Sequence, residues 1–200
     1  MKELLLYVPD SVPRSSWIAR VACLALFMVW TLFIFRSNHI REGEIGSGFL
    51  HMVLLPFHEA GHYALFRWFG RFIMTLGGTL GQHLLPIVAG YALLFQRRDT
   101  FGAALCLWLL GFSIVDMAVY MYDAFDPVMT LLGGGTGAES DGHDWQNIFG
   151  DLGLIKHARG IGLFFGFVGW LTMAAALAWA AIVLWLQRER LGDSPLAGIE

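Results

Sequence analysis

The sequence predicts an all-α, polytopic integral membrane protein of about five transmembrane helices with a glycine-rich re-entrant or hairpin segment. Three observations carry this. Hydrophobic residues make up 56% of the 200-residue chain, charged residues only 14%, and the mean hydropathy is +0.59. Runs nearly free of charge recur at lengths close to the roughly 20 residues that cross a bilayer. Glycine and proline punctuate those runs, while polar residues gather into a few short stretches and one long one. Backbone amides in lipid have no water to bond, so such runs must be helical.

The elements follow in order. Residues 1–16 form an interfacial lead, in which Leu4 to Tyr7 can lie on the membrane and Pro9 and Pro13 prevent one long helix. The first apolar run is too long for a signal-peptide core, so no cleavable leader is expected. Residues 17–35 make the first span, with Arg20 snorkelling to the interface. A second span covers 49–70 and contains Pro56, which can bend or break it. Gly77-Gly78-Thr79-Leu80-Gly81-Gln82-His83 reads as the re-entrant or hairpin piece, feeding a third span at 83–96. A fourth span, 101–122, holds one charge, Asp116. Residues 123–159 are a long polar loop, of the kind that is functional or disordered. The fifth span, 160–186, carries Gly162 and Gly166 on one face, a spacing that suits close helix packing and oligomerisation, with itself or another protein. Residues 17–190 then form one membrane-embedded domain, and 191–200 a polar tail. Basic residues divide evenly between the two sides, which leaves the orientation open.

Composition also excludes. A net charge of −3 without any basic tract argues against nucleic-acid binding. Cys23 and Cys106 lie in apolar runs and read as small core residues, not as a disulfide or thiolate site.

The chemistry concentrates in His58-Glu59-Ala60-Gly61-His62. Histidines four apart share one helix face, so both imidazoles can reach one ion, and the glutamate between them can reach a water in an open coordination position. This is the H-E-x-x-H signature, whose natural metal is Zn2+. Polar groups at that depth are costly, which makes them a functional site by default. A catalytic zinc takes three protein ligands, so a third is needed. The connectivity places the loop after helix four on the membrane side towards which helix two runs. His143 is the leading candidate there, with Asp144 beside it and Asp116 in helix four as alternatives. Those that do not bind are expected to orient the others. His51 and His83 are weaker candidates, and His39, Glu42 and Glu44 read as solvated loop residues. Gly78 and Gln82 are expected to line the substrate path.

These residues resemble the site-2 protease-like family of intramembrane zinc metalloproteases. The matching features are His58 to His62 in a membrane helix, the glycine-rich segment Gly77 to Gln82, and an acidic residue two helices on, Asp116. The resemblance implies a core of three membrane helices, His58 and His62 as zinc ligands and Glu59 as general base. It also implies a substrate segment bound extended, beside a strand-like edge near residues 72–82. The family's Leu-Asp-Gly motif is absent, since Asp116 stands in Ser113-Ile114-Val115-Asp116-Met117.

The expected function is hydrolysis of a peptide bond at or within the bilayer of a bacterial inner membrane or its equivalent. The substrate is a membrane protein or peptide, attacked by a zinc-activated water with Glu59 as base. Two other classes fit the same residues. One is a non-catalytic zinc-binding assembly subunit. The other is a metal or proton transporter using Asp116, Asp123 and the histidines as a relay, although no internal repeat is visible.

Overall fold

The computed structural model describes residues 2–37, 40–42 and 48–192. Among these the chain is mostly helical. A short helix, α1 (Lys2–Leu5), precedes a two-residue strand, β1 (Val12–Pro13), which pairs in parallel with β2 (Leu191–Gly192). Helix α2 runs over Arg14–Ser37, and α3 over Phe49–Ala60. A π-helical turn, Gly61–Leu65, and a 3-10 turn, Arg67–Phe69, follow α3. Gly70, at φ 87°, then reverses the chain in a conformation glycine alone adopts cheaply. Helix α4 (Arg71–Tyr91) continues into a second π-helical turn, Ala92–Gln96. After it come α5 (Thr100–Asp123), α6 (Asp144–Asp151) and α7 (Ala158–Arg188).

Four helical stretches are long and apolar enough to cross a membrane: Arg14–Ser37, Arg71–Gln96, Thr100–Asp123 and Ile155–Arg188. The expected span at 49–70 is not among them. Its α-helix is 12 residues long and gives way to the π turn directly after Ala60. Pro56 lies inside α3 without ending it.

The glycine-rich piece also departs from expectation. Residues 77–83 are neither re-entrant nor a hairpin; they are the middle of α4. Glycine disfavours helix by about 1 kcal/mol against alanine in an exposed position, but these glycines are buried against α3. A Cβ on Gly61 would strike the Gly77 carbonyl oxygen, and one on Gly81 would lie 2.8 Å from the Cα of Gly61 and on the Phe57 carbonyl. The lost helix propensity is offset by an approach that side chains would prevent. No strand edge exists at 72–82.

By internal packing the chain divides into two units. The first comprises Met1–Phe35, Pro86–Leu109 and Thr172–Glu200. Its core gathers Leu24, Phe101, Ala104, Ala180, Val183 and Leu184. The indole of Trp17 donates to the Leu184 carbonyl at 3.0 Å, and that of Trp108 to Thr31 Oγ1 at 2.8 Å. Arg20 is paired with Asp99 at 3.4 Å.

The second unit comprises Arg36–Leu85 and Leu110–Leu171. Its core contains Met117, Met121, Ala124, Trp145, Ile148, Phe149 and Ala158. The face of α7 marked by Gly162 and Gly166 packs here against α5. A Cβ on Gly162 would lie 2.8 Å from the Ala118 carbonyl oxygen and 2.9 Å from the Tyr122 nitrogen. The face expected to serve oligomerisation is thus covered by a helix of the same chain, because glycine there removes the side chains that would hold α5 away. Every residue of the site described next belongs to this second unit.

Candidate metal centre

The site begins with the four-residue spacing of His58, in the last turn of α3, and His62, in the π turn. Their Nε2 atoms lie 3.1 Å apart. Asp144, the first residue of α6, brings Oδ2 to 3.0 Å from His58 Nε2 and 3.1 Å from His62 Nε2. Ligand atoms of these three residues all fall within 4.8 Å of one another, forming a group that could hold a metal ion. Ligands at zinc-bond lengths of about 2.0–2.1 Å in tetrahedral array sit roughly 3.3 Å apart, close to this spacing.

The other ring nitrogens decide what the three atoms present. His62 Nδ1 lies 2.8 Å from the Met74 carbonyl oxygen, which can only accept, so Nδ1 carries the hydrogen. His58 Nδ1 lies 3.2 Å from Gln82 Oε1. The Gln82 amide is oriented by its opposite end, where Nε2 donates to the Ser113 carbonyl at 3.2 Å and to Asp116 Oδ2 at 3.1 Å. Turning the amide over would set its oxygen against two acceptors. His58 Nδ1 is therefore also a donor, and in the neutral rings both Nε2 atoms direct lone pairs at the Asp144 carboxylate. Burial works against the charge on Asp144; where the rings are protonated at Nε2 as well, the hydrogen bonds and charges of His58 and His62 outweigh it and hold the carboxyl below its usual range.

A small lattice of contacts explains why Asp144 arrives there. Its backbone N–H donates to the Tyr120 hydroxyl at 3.0 Å. The preceding residue, His143, is fully buried and caps α6: its Nδ1 accepts from the Gln146 N–H at 3.1 Å. Its Nε2 faces Asp123 Oδ2 at 3.1 Å, and its ring stacks on Tyr120 with centroids 4.2 Å apart. Asp123 in turn accepts the Val128 and Met129 N–H groups at 3.0 and 3.2 Å. Both ring nitrogens of His143 are thus engaged away from His58 and His62. The candidate placed first from sequence lies outside the group, and Asp144, one of the two alternatives, lies in it.

The remaining candidates fall as follows. Asp116 is buried and points at His51, with Nδ1–Oδ1 at 2.9 Å, and at Gln82. It does not join the three-residue group, nor does it bond Tyr120 or Ser113 side chains. His83 turns back onto the Thr79 carbonyl at 2.8 Å. Glu42 is exposed, and His39 and Glu44 lie outside the described residues. Gly78 sits directly beneath the imidazoles, where a Cβ would overlap His62 Nε2 and lie 2.5 Å from His58 Nε2. Glu59 and Gln82 line a cavity of about 1420 Å³, along with Tyr63, Met74, Tyr120 and Met129. Sequence reasoning missed the parts of Tyr120, Asp123 and the Met74 carbonyl. Asp123, an acid at a helix exit twenty residues before a histidine, carries only a faint signal, and a backbone carbonyl carries none.

No protein-family model, curated protein or solved structure matches the chain. The site must be read on its own geometry.

Proposed function

We propose that this chain is a membrane-embedded zinc metallopeptidase, with His58, His62 and Asp144 as ligands and Glu59 as general base. The observation that carries this reading is the convergence of two imidazole lone pairs and a carboxylate on one point. Left without a cation, each such acceptor forgoes a partner at a cost of about 1–3 kcal/mol. A mixed imidazole and carboxylate set of three is the donor set of many catalytic zinc sites, which keep their next position for water. Among the described residues the group holds three such side chains, so a fourth protein ligand, as a closed structural site requires, is not supplied.

A bound zinc ion would supply Lewis acidity towards a water and a substrate carbonyl. The chain's own groups do the rest. Glu59, next to His58 on the cavity wall, accepts the proton of the attacking water and returns it to the leaving amine. Tyr120 and His143 hold Asp144 against the two imidazoles. The cavity beside Glu59, lined in part by polar side chains, would give water a route to the site. Its volume exceeds the roughly 300–1,000 Å³ usual for small-molecule pockets, which supports a peptide segment as substrate. Four apolar helices of spanning length support action at a membrane.

The test is zinc content per chain in detergent-purified protein, followed by proteolysis of a panel of membrane peptides. The expected outcome is near-stoichiometric zinc in wild type and in Glu59→Gln, with turnover lost in Glu59→Gln by about 10²-fold or more. Metal-replete wild type that is folded but free of metal would sink the proposal.

A further inference from the structure

Asp116 is a carboxylate in an apolar helix, buried and unused by the three-residue group. Its bonds form one line with that group. His51 Nδ1 meets Asp116 Oδ1 at 2.9 Å and Oδ2 at 3.2 Å. Gln82 Nε2 donates to Asp116 Oδ2 at 3.1 Å, and Gln82 Oε1 accepts from His58 Nδ1 at 3.2 Å. Three helices contribute: α3 gives His51 and His58, α4 gives Gln82, and α5 gives Asp116.

We propose that Gln82 and Asp116 are positioning residues for the metal centre, forming with His51 a hydrogen-bonded relay that sets the tautomer and basicity of His58. The inference rests on the metal-centre reading above. Its physical content is a sequence of forced choices. A carboxylate only accepts, so Asp116 obliges Gln82 to present its amino group on that side. Gln82 must then present its oxygen to His58, and His58 must place its hydrogen on Nδ1. The lone pair left on Nε2 is the one aimed at the metal position. The buried negative charge also polarises the amide and strengthens the pull on the imidazole hydrogen, which makes Nε2 the better donor. His51, on the cavity wall, supplies the group that meets the far side of the carboxylate. This gives a buried acid in an apolar span a role other than ligation.

Cobalt(II) titration of the full chain in detergent micelles, read by visible absorption, tests the relay without any substrate. Wild type is expected to bind one Co2+. Gln82→Leu removes the acceptor for His58, and Asp116→Asn removes the anchor that orients Gln82. Each is expected to weaken Co2+ about 10–100-fold, the usual effect of losing such a partner, while the absorption bands keep their shape because the ligands are unchanged. Gln82→Glu keeps an acceptor towards His58 but sets an oxygen against Asp116 and the Ser113 carbonyl, so it too is expected to weaken Co2+; pairing it with Asp116→Asn, whose amide can donate to that oxygen, is expected to recover part of the affinity. If Gln82→Leu does not fold, Asp116→Asn, Gln82→Glu and their double variant are near-isosteric, and recovery of affinity in the double variant over Gln82→Glu decides. Wild-type affinity in Asp116→Asn would overturn the relay alone. So would altered bands in Asp116→Asn, which would make Asp116 a ligand. A folded wild type that takes up no Co2+ would overturn the metal reading itself, and the relay with it.

Discussion

His143 and Asp144 are neighbours with opposite tasks, and their environments separate them. His143 spends both ring nitrogens on structure, one capping α6 and one facing Asp123. Asp144 has its backbone held by Tyr120 and its side chain free to reach His58 and His62. Three variants distinguish the roles. His143→Ala removes a cap, worth about 0.5–2 kcal/mol, and strips a buried partner from Asp123, so thermal unfolding should fall by several degrees. His143→Asn restores the cap but not the Asp123 contact, and should recover part of that loss. Asp144→Asn leaves the fold nearly untouched and should abolish tight zinc binding. Calorimetry beside metal analysis checks all three; a His143→Asn protein of wild-type stability with no zinc would make His143 a ligand after all.

The helical segments bearing His58 and His62 are shaped for close contact. The π turn after α3 carries His62 and places its ring beside that of His58, at 4.8 Å between centroids. Such turns interrupt the helix ladder and are frequent at functional sites. Against this segment α4 lays a face of Gly77, Gly78 and Gly81. Gly78→Ala is the sharp probe, because a methyl group there would overlap the Nε2 atoms of both histidines. Alanine is the better helix former, so the helix itself should not suffer. The expected result is a folded protein with zinc affinity reduced at least tenfold. Retention of full affinity would mean that α3 and α4 can separate without cost, against the packing described here. On α7, Gly162 performs the corresponding service towards α5.

Across the molecule, two expectations concern surroundings and metal. The helices of spanning length leave large apolar side chains exposed, such as Phe33, Phe35, Phe164, Phe167 and Trp185, each at 60% or more. In water such surface would drive aggregation; in lipid it is matched. The protein should therefore stay with membranes through alkaline carbonate washing and be released only by detergent. The second expectation follows from linkage. A metal that binds only the folded chain adds about 2.7 kcal/mol at a hundred times its Kd. Chelation should lower the unfolding temperature of wild type but not of His58→Ala. Equal temperatures with and without chelator, in protein shown to hold zinc, would place the metal outside the folded site.

From the sequence alone came the helical class, the apolar spans and the His58-Glu59-His62 trio. These are local or compositional: hydropathy is summed over a run, and a four-residue spacing sets a shared helix face wherever the helix lies. One reading failed where composition and tertiary contact conflict. Glycines at 77–81 look like a helix break until another helix is pressed against them; residues 49–70 form a 12-residue α-helix followed by π and 3-10 turns and are not among the helices of spanning length. The third ligand was narrowed to three residues, and could go no further, because His143, Asp144 and Asp116 differ in what they touch and not in what they are. Only the folded chain shows which of them comes within reach of His58 and His62. Asp123 claims the His143 ring, Gln82 and His51 claim Asp116, and the carboxylate of Asp144 is left to meet the two imidazoles, 86 residues from His58 along the chain.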